Sequence, residues 1–69
     1  MHNSTNTNRP TYQIVRGARV DLETYEVVLC STGRMVIGAL SVAECHRHLR
    51  DLVRLGHLPA GTVREAVAA

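Results

Sequence analysis

The amino-acid sequence predicts a small α+β domain: a three-stranded antiparallel sheet (βββ), one long helix packed on it, and a short C-terminal helix. Three observations carry this expectation. Runs rich in Val, Ile and Tyr fill residues 11–40 and are interrupted by polar and Gly-containing turns. A capping box, Ser41-Val42-Ala43-Glu44, then opens a stretch of helical periodicity that ends at Gly56. A second capping-box spacing, Thr62 to Glu65, precedes Ala66-Val67-Ala68.

The first strand is expected over Thr11–Val20, from Tyr12, Ile14, Val15 and Val20, with a bend at Gly17 and a turn at Asp21–Glu23. Thr24–Cys30 and Arg34–Leu40 form the natural hairpin across Ser31-Thr32-Gly33. If Gly33 closes a type I turn in the left-handed region, Leu29 faces Met35, Val27 faces Ile37 and Tyr25 faces Ala39, all apolar pairs. The opposite face then carries Glu26, Val28, Cys30, Arg34, Val36 and Gly38. A two-residue loop would set these two groups against each other, so the longer loop is preferred.

In the long helix, at about 100° per residue, Val42, Cys45, Leu49, Leu52 and Val53 share one narrow stripe that must cover the apolar face of the hairpin. Gly56 supplies the stop and Pro59 prevents the helix from resuming. The expected terminal helix would place Val63 and Val67 on one side and would be marginal alone.

Residues 1–10, rich in Asn and Thr, read as a disordered tail, leaving residues 11–69 as a single domain. That domain has two tyrosines and no Phe or Trp, so its core is aliphatic and thin. Chains this short commonly need a disulfide, a metal or self-association, and self-association into a homodimer is expected. Val28, Val36, Leu55 and Leu58 fall outside the main stripe and sheet face, and with Val63 and Val67 they form the candidate dimer interface. The opening residues lack the apolar stretch that export requires, and no segment has the ~20 apolar residues of a membrane span. A cytoplasmic location is therefore expected, with Cys30 and Cys45 reduced and half-buried.

Cys45-His46-Arg47-His48 resembles a metal cluster only in composition. His46 and His48 stand roughly 200° apart around the helix and cannot close on one ion. Cys45 and His48 are helical neighbours, but Cys45 lies on the core stripe and no Asn or Asp is placed to orient His48. The chain also lacks a Gly-rich phosphate loop, so no enzymatic activity, metal or cofactor is expected.

The formal charge is only +2, yet all eight basic residues are Arg. Arg47, Arg50 and Arg54 cluster on one flank of the long helix and, with Arg34, are the candidate partner-binding residues, since guanidinium groups grip carboxylates and phosphates in bidentate fashion. Alternatively Arg47 and Arg54 both pair with Asp51, from its two sides, and Arg50 is simply solvated.

The expectation is a non-catalytic protein–protein interaction module, a homodimeric inhibitor or adaptor of a larger macromolecular machine. In size, compactness and lack of motif the chain looks like the small accessory inhibitors of phages and mobile elements, such as anti-CRISPR proteins. The alternative is a DNA-binding regulator, because the order strand, helix, Gly turn, helix from Arg34 onward is similar to that of ribbon-helix-helix proteins. A helix-turn-helix across Gly56–Pro59 is a variant in which Arg64 is the base-contacting residue.

Overall fold

The computed structural model describes residues 9–67. Three antiparallel strands, β1 (Thr11–Arg16), β2 (Tyr25–Leu29) and β3 (Arg34–Ala39), lead into helix α1 (Val42–Arg54), and the chain returns as β4 (Thr62–Glu65). The strand order is β3-β2-β1-β4, with β4 parallel to β1.

Alternation decides which face of the sheet is dry. On β1, Tyr12 and Ile14 point inward and are fully buried, opposite Leu29 and Val27 of β2. Ile37 of β3 completes the row, and α1 closes it with Cys45 and Leu49. Val42, Leu52 and Val53 pack around this centre, so the whole predicted stripe faces the sheet. Ser41 caps the helix by accepting from the Glu44 amide at 3.1 Å, while the Glu44 carboxylate reaches one residue further than expected, to the Leu40 amide at 3.2 Å. At the other end His57 N–H donates to the Leu52 carbonyl at 2.8 Å and Gly56 N–H to that of Val53 at 3.0 Å. This double closure needs the left-handed φ of +82° that Gly56 adopts without a Cβ penalty.

The hairpin corrects one part of the expected register. Tyr25 faces Ala39 and Val27 faces Ile37 as anticipated, but Leu29 faces Arg34 rather than Met35. The turn uses four residues, Cys30–Gly33, with both Thr32 and Gly33 N–H donating to the Leu29 carbonyl. The additional turn residue is absorbed by a bulge at the Val27/Val28 step, where Val36 is the extra residue on β3. The bulge exchanges two faces: Val36, expected outside, packs against the core, and Met35, expected inside, is 57% exposed opposite Val28.

Two further boundaries differ. β1 ends at Arg16 rather than Val20: one in-register backbone bond, from Gly17 N–H to the Thr24 carbonyl at 2.8 Å, follows the last pair Arg16–Tyr25, and residues 18–24 form the connection. The expected C-terminal helix is a strand over Thr62–Glu65. Four residues opening with β-branched Thr62 and Val63 gain little from one helical turn, whereas the free edge of β1 offers backbone partners. Thr62 N–H donates to the Pro10 carbonyl at 3.0 Å, and Ala66 N–H to that of Ile14 at 2.9 Å. Pro10, assigned to the tail by composition, thus anchors β4, and the approach is so close that a Cβ on Gly61 would stand 2.2 Å from the Pro10 oxygen. Residues 1–8 of the expected tail and the last two of the expected helix, Ala68 and Ala69, lie outside the described residues.

No helix among the described residues is long and apolar enough to cross a membrane.

Candidate interaction surfaces

A single helix about 10 Å wide covers only about two strands spaced at about 4.8 Å. Here α1 lies on β2 and β3. The outer face of the sheet and the inner side of β4 are left without a helix, and the molecule's open surfaces follow from that arithmetic.

The first surface is a shallow depression of about 350 Å³ at the β3 end of the sheet, lined by Leu22, Tyr25, Glu26, Met35, Gly38 and Leu40 among others. Of the five exposed large hydrophobic residues among the described residues, three, Leu22, Met35 and Leu40, gather here; the other two, Val20 and Leu55, lie elsewhere. Met35 reaches this position because the bulge turned it outward. Polar contacts hold the surroundings: Arg19 clamps Asp21 through Nε–Oδ1 at 3.0 Å and Nη2–Oδ2 at 2.7 Å, which holds the Asp21 carboxyl below its ordinary range. The Tyr25 hydroxyl bonds Glu23, and that carboxylate pushes the phenol's titration upward; the Arg16 guanidinium carbon lies 5.8 Å from the Tyr25 ring centre.

The second surface is a groove of about 280 Å³ between α1 and β4, with Leu49, Val53, Ala60 and Val63 as apolar walls and His46 and Arg50 at its rim. Its ends are tied. His46 Nε2 meets Glu65 Oε2 at 2.6 Å, and the Tyr12 hydroxyl donates to the Pro59 carbonyl at 2.6 Å, fixing the connection that leads into β4. Burial of Tyr12 raises its pKa above the ordinary phenol value.

The candidate residues are dispersed by this geometry. Arg50 lines the α1–β4 groove, Arg54 Nη2 bonds Asp51 Oδ1 at 3.1 Å, Arg47 is exposed on the helix, and Arg34 starts β3 at the hairpin turn. Of the two arginines expected to pair with Asp51, Arg54 does so and Arg47 does not. Of the six candidate interface residues, Val36, Leu58 and Val63 pack against the core; Val28 is half-buried on the outer face, Leu55 is exposed at the helix end, and Val67 is half-buried beyond β4. They do not form one seam. Leu22, Met35 and Leu40, which do come together, were missed by sequence reasoning because the bulge that exposes Met35 has no local signature, and because Leu22 reads as turn and Leu40 as strand.

Both cysteines are free thiols and neither is half-buried: Cys45 is sealed in the core and Cys30 is exposed at the hairpin turn. Burial pushes the Cys45 thiol above its ordinary value, with the Glu44 charge adding to the effect. Cys30 Sγ lies 3.6 Å from Gln13 Oε1 and 3.8 Å from Arg64 Nη2, a polar cluster on the outer sheet face. His46 faces β4, so His48, roughly 200° away around the helix, points elsewhere, and no group of three His, Cys, Asp or Glu among the described residues could hold a metal ion.

Comparison of the chain with protein-family models, curated proteins and solved structures finds no match in any of the three.

Proposed function

We propose that this chain is a non-catalytic protein–protein interaction module, acting as a homodimer and serving as an inhibitor or adaptor of a larger cytoplasmic machine, in the manner of the small accessory proteins of phages and mobile elements. The observation that carries the reading is the gathering of Leu22, Met35 and Leu40 around one open depression. Scattered exposed aliphatics are ordinary on a protein surface, whereas a contiguous group beside a free sheet edge marks a contact surface. The thin core supports the same conclusion, since only six of the described residues are buried and association would remove further apolar area from water. In this reading the depression is the dimer contact. Arg47 and Arg54, exposed on the helix, are the contacts offered to acidic groups of the target, with Arg34 at the hairpin turn as an outlying member.

The DNA-binding alternative gains no support from a particular site. β3 is already paired with β2, and the segment that would supply a recognition helix is β4.

Size-exclusion chromatography with light scattering tests the proposal. The chain should run at twice its 7.6 kDa mass, and the double variant Met35→Glu, Leu40→Glu should run as a folded monomer. A wild-type monomer at all concentrations, or a dimer indifferent to both substitutions, would overturn the proposed dimer contact. A salt-sensitive shift with random duplex DNA would replace the protein-binding reading altogether.

A further inference from the structure

The groove between α1 and β4 is separate from the depression at β3, which lies at the other edge of the sheet. We propose that this groove binds the carboxylate-bearing C-terminal aliphatic residue of a partner polypeptide, with Arg50 receiving the carboxylate.

Three features fit that ligand class. The first is size: about 280 Å³ falls just below the range of pockets that enclose drug-sized ligands, and suits one aliphatic side chain with its terminal group rather than a cofactor. The second is polarity. Leu49, Val53, Ala60 and Val63 supply apolar walls, and a side chain laid between them would cover inner-face surface that α1 leaves open. The third is charge. The two basic rim groups have different circumstances: His46 is engaged by Glu65, while no carboxylate among the described residues lies within ion-pair distance of Arg50. A planar guanidinium beside an apolar slot is matched by a carboxylate on an aliphatic stem, which can accept two parallel N–H bonds while the stem remains in the groove.

The walls are also held in place before any ligand arrives. The His46–Glu65 contact ties the helix to β4 at one end, and the Tyr12 bond to Pro59 fixes the entering chain at the other. Such preorganisation lowers the ordering cost of binding. Arg50 is exposed, so solvent screens the carboxylate contact and a single anchoring residue gives weak affinity, in the range that needs a direct structural readout.

The experiment is a titration of the ¹⁵N-labelled full chain with N-acetyl-glycyl-alanyl-leucine carrying a free C-terminus, followed by amide chemical shifts. Saturable shifts are expected at Arg50, Val53, Gly61 and Val63, with the C-terminal amide of the same peptide binding about tenfold more weakly. Arg50→Gln should reproduce that loss with the free acid and abolish the difference between acid and amide. Ala60→Phe, which fills the groove from an exposed position, should block both peptides. No saturable shift, equal binding of acid and amide, or an unaffected Arg50→Gln protein would each overturn the proposal. Repeating the titration on the Met35→Glu, Leu40→Glu variant separates this site from the proposed dimer contact: groove binding should persist there even where the dimer is lost, and its loss in a folded variant would overturn the groove as an independent site.

Discussion

The two halves of the sheet are held by different kinds of interaction. The half made of β2, β3 and α1 is local in sequence: a hairpin, a capped helix and the apolar stripe that joins them. The β4 margin is non-local. It joins β1 across about fifty residues of chain by parallel backbone pairing, a histidine–carboxylate contact and one tyrosine hydroxyl. Side-chain packing therefore dominates one half, while the other relies mainly on backbone pairing and a few polar contacts, with Leu58 and Val63 its links to the core. The margin should yield first when the protein is stressed, because its opening exposes little apolar surface.

The largest expected effect lies where the two halves share their core. Ile14 is completely buried on β1, facing Val27 and adjoining β4, and Ile14→Ala should cost about 2–5 kcal/mol in chemical denaturation through lost burial and the cavity left behind. A loss well under that range would mean that β1 is not the common element.

Next is Gly61→Ala. The added Cβ meets the Pro10 backbone oxygen and cannot be relieved by rotating a side chain, so the variant should lose about 1–3 kcal/mol. Hydrogen exchange gives the sharper reading: the Thr62 and Ala66 amides should lose protection while Val27 and Leu49 keep theirs. Uniform loss across the sheet would show that the two halves open together.

Smaller is Ser41→Ala, at about 1 kcal/mol, which removes the acceptor for the Glu44 amide and frays the start of α1 without affecting exchange at β4. Smaller again is Glu65→Gln. Its partner His46 is substantially exposed, so global stability should change by less than about 0.5 kcal/mol. Its local effect, wider fluctuation of β4 seen in exchange at Ala66, is the useful measurement.

Across the neutral range pH should have the least effect through the buried groups. Burial favours the neutral Cys45 thiol and Tyr12 phenol, so both folded pKa values lie above their ordinary 9.0 and 10.0. The stabilisation linked to these shifts is fully present below those ordinary values and is lost as pH rises through the folded ones. Denaturation midpoints should therefore show no downward step from Cys45 below about pH 9 and should fall above it. In Cys45→Ala the alkaline decline should begin later, with Tyr12. In the native protein a thiol reagent should modify Cys30 promptly and Cys45 only on unfolding.

The contrast between the halves also explains what the sequence made legible. Ser41, Glu44 and Gly56 state their roles within a few residues of themselves, and the stripe from Val42 to Val53 follows from helical period alone. The strand identity of Thr62–Glu65 has no comparable signature; a capping-box spacing and two alanines suggested a helix, and only the unpaired edge of β1 decides otherwise. The hairpin sits between these cases. Alternation settled the pairing of Tyr25 and Val27, but the extra turn residue and the compensating bulge reversed Met35 and Val36, and with them the location of the exposed apolar surface. For the candidate site, residue types were legible while their grouping was not: the arginines of α1 divide between a groove, an ion pair and solvent.

The irregularity at Val36 has a consequence for behaviour at high concentration. β3 is an outer strand with one backbone edge unpaired among the described residues, next to three solvent-facing aliphatic side chains, a combination that invites edge-to-edge sheet growth into fibres. A bulge in mid-strand leaves too short a regular run for another molecule's strand to zip along, so sticky side chains can meet a partner without recruiting a third. Restoring an even strand by deleting Val36 should increase the tendency of the chain to polymerise through this edge.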